Sequence, residues 1–166
     1  YVKPGAENVI AIRLDNPGHS SRWYPGGGLY RNVWLVKTAP VRIAPWGVFV
    51  TTPAVTDQAA QVDVDVSYEN TTETRAEVQT TVQLYAADVT GRPTGDLVAT
   101  SAPQSLRIEP HRQANHAQTL TVPNPRRWSL RERNRYVAVT TVSENGRERD
   151  RVETPFGIRA IAISPE

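Results

Sequence analysis

The chain contains no cysteine. Disulfide frameworks, thiol nucleophiles and thiolate zinc sites are therefore excluded, while the redox compartment stays open. No apolar run approaches the roughly 20 residues that a bilayer-crossing helix needs, so no membrane partner is expected. Lysine is scarce: all but two of the 19 basic residues are arginine, set against 17 acids. The formal charge is thus only +2, and the sequence pI of about 9.2 overstates the basicity. Helix signals are nearly absent. No signal-peptide pattern follows Tyr1, which stands where a natural chain starts with Met, and the chain reads as an excised piece. Its 166 residues suit one ordinary domain, or one domain plus a fragment of another.

What the sequence has is a period of two. Apolar residues alternate with polar ones among many β-branched side chains, which argues strands. Asn8–Leu14 reads as a strand between turns at Pro4-Gly5 and Asn16-Pro17-Gly18, and Tyr30–Thr38 reads as another. After Ala39-Pro40 the pattern restarts with Val41–Ile43 and then Val48–Thr51, before Pro53. Gln61–Val66 places valines inward and carboxylates outward; Glu77–Tyr85 does the same with Thr and Gln on the wet face. Leu97–Ser101, Ser105–Ile108, Ala117–Val122, Tyr136–Val142 and Arg149–Glu153 follow, with a type I′ hairpin turn predicted at Asn145-Gly146. Gly157–Ile163 adds a final apolar stretch. From residue 40 onward, roughly seven strands with turns about 8–12 residues apart predict an all-β fold, an immunoglobulin-like antiparallel sandwich without the antibody disulfide. Residues 1–39 hold five of the ten glycines and too few strands for a sandwich of their own, which puts a boundary near Ala39-Pro40.

Ser21–Leu35 is the most informative stretch. Gly26–Gly28 let the backbone turn sharply or approach another surface closely, and Arg22, Trp23 and Tyr24 stand just before them. Rings that stack on C–H faces beside a guanidinium that bonds hydroxyls are good chemistry for sugars. A glycine turn whose aromatics pack on a neighbouring sheet accounts for the same residues. Asp63 and Asp65 share one strand face; the all-valine opposite face makes them a solvated surface rather than an acid/base pair or a Ca²⁺ site. His19, His111 and His116 lack metal-ligand spacing, so no metal is assigned. Arg126, Arg127, Arg131, Arg133, Arg135, Arg147, Arg149 and Arg151 are interleaved with Glu132, Glu144, Glu148 and Asp150, which predicts ion pairs rather than a nucleic-acid surface. No phosphate-binding glycine loop or nucleophile elbow appears.

Four stretches recur in a recognisable order. They are Lys3-Pro4-Gly5 with Glu7–Arg13 and Asp15-Asn16; Ser21–Gly26 with Gly28–Leu35; Asn124-Pro125 with Trp128-Ser129 and Tyr136; and Phe156–Arg159. Together they resemble glycoside hydrolase family 2, the β-galactosidase and β-glucuronidase family. One departure is Asn134-Arg135, where the family usually has Pro and an apolar residue. The resemblance implies that residues 1–39 are the terminal strands of a jelly-roll, sugar-binding-like domain. Residues 40–163 would be the immunoglobulin-like sandwich, and 164–166 the start of a linker to a catalytic barrel. Trp128 would pack in the sandwich core and Tyr136 on a central strand.

The implied parent is a bacterial retaining β-glycosidase, in style closer to the β-galactosidases than to the β-glucuronidases. Such chemistry uses two carboxylates about 5 Å apart, and the family's acid/base lies in an Asn-Glu dipeptide. This sequence contains none. The expectation is a non-catalytic scaffold with no cofactor, packed on jelly roll and barrel, that meets carbohydrate through the parent enzyme. In the family, the loop matching Ser21–Tyr24 lies near the pocket mouth. Arg22 is the first candidate for touching sugar hydroxyls, then Ser21, with Trp23 and Tyr24 shaping the rim. The rival reading is a free-standing carbohydrate-binding or adhesion sandwich.

Overall fold

The computed structural model describes residues 2–3, 5–15, 17–19 and 28–161. The chain divides into two units, Tyr1–Val36 and Lys37–Glu166.

In the first unit, Asn8 closes the turn expected near Gly5, which has φ 75°. Its Oδ1 accepts from Lys3 N at 2.7 Å, and its Nδ2 donates to the carbonyls of Lys3 and Ala6. The strands expected over Asn8–Leu14 and Tyr30–Thr38 are absent: neither segment joins a ladder. Val9, Ile10, Ile12, Leu14, Val33 and Trp34 all stand exposed. Alternation sets side-chain direction, but a strand forms only where a neighbouring backbone takes its hydrogen bonds, and among the described residues neither segment has such a neighbour.

Among the described residues the second unit holds eight strands: β1 (Val41–Val55), β2 (Ala59–Asn70), β3 (Ala76–Ala87), β4 (Pro93–Thr100), β5 (Gln104–Ile108), β6 (Arg112–Pro123), β7 (Arg135–Glu144) and β8 (Arg147–Phe156). One sheet runs β1-β2-β6; the other runs β4-β3-β7-β8, with β5 also paired to β3. Every pairing is antiparallel. β4 and β5 share one edge of β3, against Gln83–Ala87 and Ala76–Thr80 respectively. Ser101 bridges the break between them. Its Oγ accepts from Val82 N at 2.9 Å, and its own N–H donates to Val82 O at 2.8 Å, so the ladder loses no bond at the gap. The β7–β8 hairpin turns at Asn145 and Gly146, with φ 52° and 72°, both positive as a type I′ turn requires.

The core follows from the alternation. Val62, Val64, Val66 and Tyr68 of β2 are sealed against Val78, Val82 and Leu84 of β3, Leu120 and Val122 of β6, and Tyr136, Ala138 and Val142 of β7. Each fully buried valine or leucine contributes about 1.5–3 kcal/mol. Tyr136 sits on a central strand, as expected, flanked by β3 and β8. Trp128 does not join the core. It is half-buried in the β6–β7 connection, bridged to Arg133. That connection crosses one end of the sandwich instead of entering it.

Candidate functional site

Ser21, Arg22, Trp23 and Tyr24, the residues singled out for sugar contact, lie outside the described residues. The other candidates are placed. Asp63 and Asp65 lie on the outer face of β2, with Val62, Val64 and Val66 buried opposite. Asp63 Oδ1 accepts from Gln61 Nε2 at 2.9 Å and from Thr119 Oγ1 at 2.8 Å, which makes it part of a surface network. His111 Nε2 lies 3.0 Å from Glu73 Oε2 in an exposed pair. Among the described residues, no group of three His, Asp or Glu is arranged to hold a metal ion.

The arginine-rich stretch resolves into separate roles. Arg149 pairs with Glu144 across the β7–β8 hairpin at 2.7 Å, and Arg151 pairs with Glu153 along β8 at 2.9 Å. Arg127 reaches Asp57 in the β1–β2 turn. Arg135 donates instead to Val89 O at 3.0 Å, tying β7 to the β3–β4 loop. That loop is itself stiffened by Asp88, which accepts from Thr90 Oγ1 and from the backbone N–H groups of Thr90 and Arg92. The Thr90 hydroxyl first, then the Arg92 N–H, holds the Asp88 carboxyl below its ordinary range.

The Arg127, Arg135 and Asp88 contacts lie at the end of the sandwich where β7 starts, and others join them there. Tyr136 Oη, at the start of β7, accepts from Arg126 N at 2.8 Å. This matches the tyrosine corner of such sandwiches, where a tyrosine at this bend bonds the backbone just upstream. Asn134 Nδ2 donates to Arg127 O at 3.0 Å across the same loop, so the Asn134-Arg135 departure supplies two loop-fixing contacts. Trp128 N–H donates to Ile158 O at 2.8 Å, and the Arg159 guanidinium lies 5.4 Å from the Trp128 ring centroid. A Cβ on Gly157 would lie 3.1 Å from Trp128 Cβ, so the glycine makes room for the indole. The resulting cleft, about 490 Å³, is lined by Val50, Thr52, Trp128, Arg135, Phe156 and Arg159. Chemically, this end clamps the segment after β8 to the β6–β7 loop and fixes the direction in which the backbone leaves the sheet. Sequence reasoning missed the grouping, although Trp128, Arg135 and Arg159 each stood in or beside a noted motif.

Comparison with known proteins agrees in family. The model of Glycosyl hydrolases family 2 matches residues 41–159. Beta-galactosidase BoGH2A of Bacteroides ovatus is 35% identical over 164 residues, taking in 98% of this chain and 18% of that protein. A putative beta-glucuronidase of Formosa agariphila is 30% identical over 167 residues, or 100% of this chain and 15% of that one. Among solved structures, Bacteroides uniformis beta-glucuronidase superposes with a TM-score of 0.73 at 20% identity, covering 86% of this chain and 17% of that chain. A family 2 member from Bacteroides cellulosilyticus gives 0.68 at 26% identity, covering 75% and 15%. The chain therefore spans less than a fifth of the length of these relatives.

Proposed function

The chain belongs to glycosyl hydrolases family 2, and from that premise we propose that it is the non-catalytic scaffold of a β-galactosidase-type retaining glycosidase. The observation that carries this is its 35% identity, across 98% of its own length, to a β-galactosidase more than five times as long. In this reading residues 1–39 close a jelly-roll domain, 40–163 form the sandwich, and 164–166 begin the linker to a catalytic barrel. The sandwich holds its neighbours at fixed spacing, and the clamp of Trp128 on Ile158 and Arg159 supports that role by aiming the outgoing backbone. The parent cleaves terminal β-linked sugars with a pair of carboxylates in its barrel. Arg22, with Ser21, Trp23 and Tyr24, contributes to the rim of that pocket.

Reading the coding sequence beyond Glu166 tests this first. The expected result is roughly 300 further residues of alternating β and α segments with an Asn-Glu dipeptide at a strand end. A stop codon soon after Glu166 would overturn the reading in favour of a free-standing binding module. With the full enzyme in hand, turnover of a nitrophenyl β-galactoside against a nitrophenyl β-glucuronide decides the sugar, which matters because other relatives are named as β-glucuronidases.

A further inference from the structure

Trp46 combines two unfavourable states. It is fully exposed, and it holds φ at 57°, in the left-handed region that non-glycine residues avoid. It occupies a bulge in β1: the strand advances from Ile43 to Val48 while its partner β2 moves only from Tyr68 to Val66. The bulge is built into the fold. A Cβ on Gly47 would lie 2.6 Å from Ala44 O and 2.8 Å from Ser67 O, so only glycine follows Trp46 here. Ile43 N, just before the bulge, donates to Asp150 Oδ2 on β8 at 2.9 Å and anchors it to the other sheet. A rigid frame thus holds a large ring in water. Strain of this kind, maintained by the surroundings, is a feature of many functional positions.

The outer face of the strand that follows the bulge has matching chemistry. Phe49, three residues after Trp46, is 64% exposed. Register puts Phe49 beside Asp65 and Asp65 beside Ala117, with Thr51, Asp63 and Thr119 in the next row. Neighbouring strands lie about 4.8 Å apart, so the three-strand face is about 10 Å wide, enough for one or two sugar rings. Ala117 and the threonines keep it low. The Asp65 side chain has no hydrogen-bond partner among the described residues and offers an acceptor to hydroxyl groups, whereas Asp63 is already committed to Gln61 and Thr119. Exposed rings stack on the C–H faces of sugars, and carboxylates accept from their hydroxyls. The same carboxylates repel acidic glycans and nucleic acids.

We infer that Trp46, Phe49 and Asp65 form a surface site for neutral oligosaccharide chains. The site would keep a polymeric neutral glycan near the parent enzyme. It is read without turnover, so its failure leaves the family assignment untouched.

The test is a chemical-shift titration of the ¹⁵N-labelled chain with β-1,4-galactotetraose, and separately with tetragalacturonate, each to about 20 mM, the range of weak sugar sites. The expected result is saturable movement of the Trp46 indole N–H and of the Phe49, Asp65 and Thr119 amides with the neutral sugar only. Trp46→Ala and Phe49→Ala should each weaken binding about tenfold while the remaining spectrum holds its positions. Absence of saturable shifts with the neutral sugar, shifts confined to another face, equal binding of the acidic sugar, or undiminished binding by Trp46→Ala would each overturn the site.

Discussion

Tyr68 on β2 donates its phenolic hydrogen to Thr80 Oγ1 on β3 at 2.8 Å, sealed from solvent. Inside a core built largely of valine and leucine, this polar bond joins the two sheets. A buried hydroxyl without a partner costs more than the bond itself contributes, so each residue makes the other tolerable. Tyr68→Phe should cost about 1–3 kcal/mol by leaving Thr80 without its donor, and Thr80→Val should cost a similar amount. The double variant should recover about 1 kcal/mol relative to the sum. Urea unfolding at constant m value measures all three; strictly additive losses would mean the bond contributes nothing.

The same contact predicts a response to alkali. Burial raises the Tyr68 hydroxyl above its ordinary value of 10.0, and the Thr80 hydrogen bond opposes this only in part. In the interval between that value and the folded one, the unfolded chain has released the proton and the folded chain has kept it. Stability therefore falls as pH rises through this interval and is fully present below it. Unfolding midpoints measured from pH 8 to about 11.5 should decline in the wild-type chain. The decline should be shallower in Tyr68→Phe, which has no proton to lose there; parallel curves would assign the slope to other groups.

Asn70 is a second buried polar centre, with its side-chain bonding capacity almost fully used. Its Nδ2 donates to the carbonyls of Thr74, Ile108 and Glu109, and its Oδ1 accepts from the backbone N–H and hydroxyl of Thr72. It thereby joins the end of β2 to the β5–β6 turn. Asn70→Ala should cost about 2–3 kcal/mol through the stranded groups. Asn70→Asp, nearly the same shape, should cost more at neutral pH, since a carboxylate oxygen would face three carbonyls. Equal losses for the two variants would show that shape, not donor chemistry, is what the site needs.

The sandwich was largely legible because its signals are local. The valines of β2, the Asn145-Gly146 turn and the central place of Tyr136 each follow from a period or a dipeptide. What escaped depends on distant partners. The bulge at Trp46 reads as a gap between two strands until Ser67 and Asp150 are placed beside it. Asn70 finds carbonyls 38 and 39 residues away. Trp128 has the composition of a core residue, yet it closes an end of the fold because Gly157 leaves room for it there. Asn8–Leu14 and Tyr30–Thr38 have strand alternation without a neighbouring backbone to complete it. The sugar contact proposed for Ser21–Tyr24 was read from motif alone, and those residues lie outside the described ones.

For that loop, the prediction belongs to the full enzyme. A guanidinium bonding a sugar hydroxyl contributes about 1.5–3 kcal/mol, so Arg22→Ala should lower kcat/KM about tenfold to a hundredfold. The chain's urea midpoint should stay unchanged. Unaltered kinetics would remove Arg22 from the substrate's surroundings, whatever the family relation.

Trp46 and Gly47 carry opposite predictions at adjacent positions. The left-handed conformation costs a non-glycine residue about 1–2 kcal/mol, and the exposed indole recovers none of it through burial. Trp46→Gly removes this strain, against about 0.5–1 kcal/mol from the greater freedom of glycine in the unfolded chain. The variant should come out more stable by about 0.5–1 kcal/mol, seen as a rise of about 1–4 °C in Tm. Gly47→Ala should do the reverse: its methyl group would press on the carbonyls of Ala44 and Ser67, at a cost of about 1–3 kcal/mol. A fold that gains stability by discarding an exposed ring keeps that ring for something other than folding. Loss of stability in Trp46→Gly would instead give the indole a structural role and remove the reason for seeking a ligand there.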